Sequence, residues 1–377
     1  MKVLYLTNLP APYTVEFLTE LGKHCELTVV FERHSASDRD KKWVSEAKKT
    51  YKEIFLKGIK VGPENSICPG IKKILKEKYD HVIIGMYSTF TAMMAIKYLN
   101  RKGIPYIIST DGGHIRENEN PKKKAFKTGL IGGAKAWLST GRVADRYLMH
   151  YGAKPEGLYE YPFTSLKKEE ILEASVTDEK KAELRKKLGI EGEYVVIAVG
   201  RYIPLKRWEI LVESMRMFNN EGDNKVHCYL VGGEREELVP LLDGAGIPEN
   251  FHTIPFMKTR ELFEYYQAAD VFVMTTETDV WGLVVNEAMA NGLPIVSTVK
   301  CNAGVELIEE DVNGKLIPVG DSESLYNAVK ELLSKPERLT QMGENNLKKI
   351  SSYTYEMMGI KVYEALLAIG STDGEQK

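Results

Sequence analysis

Cysteine is scarce in this 377-residue chain. Cys25, Cys68, Cys228 and Cys301 are far apart and form no CxxC pair. They read as reduced thiols of a cytosolic protein rather than a disulfide framework. No run of about 18 apolar residues occurs, so no bilayer span is expected. The opening MKVLYLTNLPAPY has too short an apolar run for a secretory signal and turns at Pro10 and Pro12. An excess of one charge is also missing. With 51 basic and 53 acidic residues the formal net charge is −2. That balance argues against a nucleic-acid partner held by a whole-protein field, while leaving local patches open. A complete GxGxxG fingerprint is absent too. Val231-Gly232-Gly233 is a strand-end glycine pair only, which gives a nicotinamide cofactor weak support.

What is there is alternation. Apolar residues make up 43% and charged residues 28%, enough for ordinary buried cores. Short β-branched runs at 3–8, 26–32, 80–86, 104–110 and 135–140 alternate with helix-length segments. The charged stretch 166–189 reads as a linker and lead-in helix. Alternation then restarts with runs at 194–200, 226–233, 251–256, 270–276, 293–298 and 314–320. This predicts an α/β protein of two doubly wound, Rossmann-like domains, each a parallel sheet covered on both faces. The expected boundaries are 1–165 and 166–350. An amphipathic segment at 351–377 could cross back onto the first domain. Two such domains facing each other would make a central cleft at the carboxyl ends of their strands, where ligands bind in such folds.

The run YVVIAV is followed by GRYIPLKR, residues 200–207. Gly200 allows a sharp turn at the strand end, and the next helix directs its first amides at the same mouth. Arg201 and Lys206 would flank a phosphate with charge-assisted hydrogen bonds, each worth about 1.5–3 kcal/mol. Alone, the stretch is equally a surface loop with solvated cations. A second stretch, TETDVWGLVVNEAMANGLPIV, places Asp279 in a turn, opens a helix at Gly282 and closes it at Asn291-Gly292. Gly282, Leu283 and Val284 form a second helix start that suits an anion. Glu287 lies inside that helix, and its two acceptor oxygens suit the vicinal diol of a ribose. It is equally an acid favoured by the helix dipole.

Together, strand–GRxxxxK and strand–DxWGxxxxE–helix in one α/β unit resemble the donor site of retaining glycosyltransferases of family 4, which have the GT-B fold. The resemblance implies that Arg201 and Lys206 hold the diphosphate of a nucleotide sugar and that Glu287 binds its ribose. The family's first acid, usually Glu, contacts the donor sugar; here it is Asp279, shorter by about 1.5 Å. The resemblance also puts nucleobase readout, as an expectation of uracil, near Phe256 and Met257, although the family's usual glycine is replaced by Pro255-Phe256. Core packing is the other reading of these two. It implies too that His114, in STDGGHIRE, lies beside the donor sugar. Family members often carry a Gly-Gly pair in the first loop; this chain has Asn8 to Tyr13 with two prolines, which lack amide donors, so that loop would serve acceptor recognition.

The implied activity is metal-independent transfer of a hexosyl or N-acetylhexosaminyl group from a UDP-linked donor, with retention. The acceptor would be a glycan or lipid-linked hydroxyl, in surface polysaccharide or glycolipid synthesis. No cofactor and no metal are expected. Lys122-Lys123-Lys124, with Lys127 and Phe126, reads as a solvated helix face, or as a peripheral contact with anionic headgroups at the inner face of the membrane. A sugar-nucleotide epimerase of the same architecture would need further acid–base residues. A non-catalytic nucleotide-binding assembly subunit is favoured only by Asp279. Asp38-Arg39-Asp40 has no strand-end context and reads as solvated surface.

Overall fold

A computed structural model describes residues 1–34, 45, 47–62, 65–116, 118–222, 225–242, 244 and 246–371. The Asp38-Arg39-Asp40 triplet lies outside the described residues. The chain divides into two compact units. One comprises Met1–Thr164 with Thr354–Lys377, the other Ser165–Tyr353.

In the first unit the strands are β1 Lys2–Thr7, β2 Glu26–Phe31, β3 Lys52–Phe55, β4 Ile59–Val61, β5 Asn65–Ile67, β6 His81–Ile84, β7 Ile107–Ser109, β8 Ala136–Ser139 and β9 Leu158–Glu160. Seven form one sheet in the order β3-β2-β1-β6-β7-β8-β9, parallel throughout. The pair β4–β5 is a small antiparallel ribbon. The helix Phe90–Lys102 shows how locally these elements are set. Thr89 caps its first turn by accepting from the Ala92 amide, and Gly103 ends it in the left-handed conformation. Its inward stripe of Ala92, Ala95, Ile96 and Leu99 is buried with Leu4, Leu6, Ile84 and Ile108 of the sheet. The helix Tyr355–Ser371 packs on the helix Pro12–Leu21, so the last element returns to the first unit.

The second unit has β10 Tyr194–Val199, β11 Val226–Val231, β12 Phe251–Ile254, β13 Val271–Met274, β14 Ile295–Thr298 and β15 Gly314–Ile317. Their order is β12-β11-β10-β13-β14-β15, again parallel throughout. Val196, Ala198, Leu230, Val273 and Val296 are buried against Leu211, Val212 and Phe218 of the helix Trp208–Asn220. Burial of each such side chain contributes about 1.5–3 kcal/mol. Chain order reverses between β10 and β13, so the connections leaving these neighbouring strands run to opposite sides. The carboxyl ends of that pair are where a doubly wound sheet opens to a ligand.

Candidate functional site

Both motif stretches leave the sheet at this reversal. Gly200 follows β10, and Thr275 to Gly282 follow β13. After Gly200 a short 3-10 turn, Pro204–Lys206, leads into the helix Trp208–Asn220. The turn is fastened to the end of β13. Thr275 donates to the Lys206 carbonyl at 2.8 Å, Thr276 to the Leu205 carbonyl at 3.0 Å, and the Glu277 amide to the same Leu205 oxygen at 2.9 Å. The indole of buried Trp208 donates to the Arg201 carbonyl at 3.0 Å. Backbone around both cations is therefore fixed while the Arg201 side chain stays exposed.

Lys206 Nζ meets Asp279 Oδ2 at 2.6 Å, with only 14% and 24% of the two side chains exposed. This joins the two motif stretches directly. Arg207 takes the left-handed conformation at φ 53° and turns to Glu209 and Glu277. Those acids raise its pKa, the Glu209 hydrogen bond most of all. Asp279 is anchored by its backbone: its amide donates to Lys300 O at 3.0 Å and its carbonyl accepts from Asn302 at 3.2 Å.

Gly282 caps the helix Leu283–Ala290 at φ 104°, and a Cβ there would lie 2.7 Å from Cys301 Sγ. Both facts require glycine. The preceding Trp281 is buried, and its indole donates to buried Asn286 at 2.8 Å. Leu283 and Val284 supply first-turn amides beside Asp279, at the positive end of the helix.

Glu287 lies one turn further in and is partly buried. Ser165 Oγ donates to its Oε1 at 2.9 Å and Tyr266 OH to its Oε2 at 3.3 Å. Each carboxylate oxygen thus already receives one hydroxyl, the bonding a diol would offer. Burial pushes the Glu287 carboxyl up to about 7, against the two hydroxyls, which lower it. Ser165 carried no sequence signal, and Tyr266 looked like an ordinary helix residue; only tertiary structure pairs them with Glu287.

Phe256 and Met257 follow β12, two strands from β10 on the same sheet. Phe256 is 47% exposed, which overturns core packing for that side chain. His114 belongs to the first unit, in the loop after β7. That loop is held by Thr140, which donates to Asp111 O at 3.0 Å, and by close packing of Gly113 on the Tyr147 ring. Burial pushes the neighbouring Asp111 carboxyl up to about 6. The helix Pro121–Ile131 presents Lys122, Lys123, Lys124 and Phe126 as exposed side chains. Lys127 instead lies over the Tyr147 and Tyr151 rings. Among the described residues no helix is long and apolar enough to cross a membrane.

Residues 180–349 match the family described as "Glycosyl transferases group 1". A D-inositol 3-phosphate glycosyltransferase of Segniliparus rotundus is 28% identical over 47% of this chain and 40% of its own length. An alpha-monoglucosyldiacylglycerol synthase of Acholeplasma laidlawii is 30% identical over 49% of this chain and 46% of its own. The chain thus matches less than half the length of these relatives. Among solved structures, Anabaena Alr3699/HepE in complex with UDP superposes with a TM-score of 0.75 at 17% identity, covering 100% of this chain and 99% of that one. A sucrose-phosphate synthase from Thermosynechococcus elongatus gives 0.74 at 17% identity, covering 98% and 99%. The fold is GT-B, as the sequence motifs imply.

Proposed function

We propose that this chain, whose residues 180–349 match the group 1 glycosyl transferases, moves a sugar from a UDP-linked donor to an acceptor hydroxyl with retention at the anomeric carbon. The observation that carries this reading is the 2.6 Å contact of Lys206 with Asp279, next to the helix start at Gly282 and one turn from Glu287. A cation, first-turn amides and a carboxylate on one helix support a diphosphate and a ribose as the groups held there.

The chemical demand is to stabilise the departing diphosphate as the glycosidic bond breaks. Arg201, Lys206 and the first-turn amides of the helix Leu283–Ala290 provide fixed positive potential for that charge. Removal of one such donor typically costs 10²- to 10³-fold in rate. Asp279 would then exchange its bond with Lys206 for one to a sugar hydroxyl once phosphate neutralises the ammonium. A phosphate oxygen of the leaving group then takes the acceptor's proton. Phe256, half exposed after β12, is offered to the base.

The relatives act on inositol phosphate and on a diacylglycerol lipid by name. A glycolipid or lipid-linked glycan acceptor for this chain is part of the proposal. The exposed Lys122, Lys123, Lys124 and Phe126 support a peripheral contact with anionic headgroups.

Calorimetric titration with UDP, GDP and ADP in EDTA, followed by a panel of nucleotide sugars, tests the reading. Selective binding of UDP, and hydrolysis or transfer from one UDP-sugar, is the expected result. Failure of all three diphosphates to bind would overturn it.

A further inference from the structure

The opposite end of the second sheet carries a cluster unrelated to the phosphate end. His227 is the second residue of β11 and His252 the second of β12, whereas Gly200 follows the last residue of β10; the three strands are parallel. His227 Nδ1 and His252 Nε2 are 2.9 Å apart, with ring planes 11° from parallel. The loop after the helix Asp178–Leu188 brings Glu191 to the same place. A ligand atom from each of Glu191, His227 and His252 lies within 4.8 Å of the others. We propose that these three residues form a binding site for a divalent transition-metal ion of the zinc class, one that fastens the edge strand β12 to the loop at 189–193.

The donor set fits such an ion. Two imidazole nitrogens and one carboxylate suit zinc, nickel or cobalt and are poor for calcium or magnesium. At metal–nitrogen distances of about 2.0–2.1 Å, nitrogens 2.9 Å apart subtend about 90°, and opening to about 3.3 Å reaches the tetrahedral angle. In the metal-free pair one imidazole donates to the other. On binding, the donor ring moves its proton to its far nitrogen, so both near nitrogens face the ion as acceptors. No net proton need be released. Glu191 is exposed, which leaves further positions for water.

The surroundings are built to hold these groups. Gly192 lies against the His227 ring at φ 99°, and a Cβ there would stand 2.9 Å from three ring or Cβ atoms. Only glycine lets the Glu191 loop approach so closely. Tyr229 OH is 2.6 Å from the Glu191 amide, and its ring stacks on His252 at 4.5 Å. The other charges nearby are Arg235, which opposes a cation, Arg185 on the Tyr229 side, and the Lys225–Glu193 pair at 2.8 Å.

The test uses the full untagged chain. Co²⁺ is titrated with visible absorption as readout, and Zn²⁺ with thermal unfolding. Expected are one Co²⁺ per chain with ligand-field bands and no thiolate charge-transfer band, and a Tm that rises with Zn²⁺ at pH 7.5 and much less at pH 5.5. His227→Ala and His252→Ala should each weaken binding at least tenfold, and Glu191→Gln, on an exposed loop, by about tenfold. His150→Ala, which alters the separate His150–Glu119 pair, should leave it unchanged. Should a histidine variant fail to fold, Glu191→Gln and the ring ¹⁵N shifts of His227 and His252 on Zn²⁺ addition decide. Equal Co²⁺ affinity in wild type and Glu191→Gln with unmoved histidine signals, or a thiolate band, would overturn the site.

Discussion

Lys206 and Asp279, 73 positions apart, form an ion pair of 2.6 Å that ties the turn after β10 to the loop after β13. A largely buried cation held by one carboxylate is poised for an anionic ligand, because a diphosphate offers it more charge than Asp279 does. Lys206→Ala should therefore weaken UDP by at least tenfold, about 1.5–3 kcal/mol, and uridine far less. Parallel calorimetry with the two ligands measures this. Equal losses would remove the phosphate assignment.

Asp279 has the opposite electrostatic sign. Its charge repels a diphosphate, and its second oxygen, Oδ1, accepts from the Trp281 amide at 3.3 Å; under the proposed function the carboxylate would also accept from a sugar hydroxyl. Asp279→Asn should leave UDP binding equal or tighter while transfer falls by tenfold or more. If UDP affinity instead drops with activity, Asp279 serves to position Lys206 and not to touch sugar.

With the proposed ribose role, Glu287 would couple nucleotide binding to pH. Its folded-state pKa is raised from 4.5 to about 7 by burial. The folded form thus binds a proton more tightly than the unfolded form, and the group's stabilising contribution is present at low pH. That contribution is lost as pH rises through the range from 4.5 to about 7. Wild-type Tm should fall across this range more steeply than that of Glu287→Gln. The diol of a ribose needs the carboxylate, so UDP affinity should rise between pH 6 and 8. A flat affinity profile in wild type would contradict the ribose role.

The same contact can be tested from the ligand. Glu287→Ala should weaken UDP by roughly tenfold, and 2′,3′-dideoxy-UDP should bind wild type and variant alike. Were the dideoxy ligand to lose a further full decrement on the variant, Glu287 would not be the ribose partner.

Gly282 gives a prediction about the scaffold. An alanine at φ 104°, with its Cβ 2.7 Å from Cys301 Sγ, is strained twice. Gly282→Ala should cost more than about 1 kcal/mol, read as a lower Tm, and should weaken UDP by displacing the helix start.

How far the sequence reaches depends on distance along the chain. β10, β11 and β13 were legible because continuous β-branched runs are bounded by glycine or threonine turns, and the helix at Gly282 because its start and stop are local signals. The ribbon β4–β5 was not: each strand has only three residues, all exposed in β4 and with Ser66 alone buried in β5, too short a run to carry a periodicity. The partners of Glu287, 122 and 21 residues away, are set by packing alone. That Arg201 and Lys206 lie in the turn after β10 was readable from spacing, but the pairing of Lys206 with Asp279 was not. Phe256 is exposed where an apolar pattern also allowed burial, because β12 is an edge strand and ends two residues earlier.

The return of the helix Tyr355–Ser371 to the helix Pro12–Leu21 makes the second unit, in covalent terms, an insert within the first. Ser165–Tyr353 is one unbroken segment, complete as soon as it is made. The first unit is interrupted, and one of its helices is synthesised last of the elements described here. A stop codon near residue 354 would therefore injure the unit encoded farthest from it, uncovering the Glu20–Leu21 turn near the start of the chain, against which Gly359 packs.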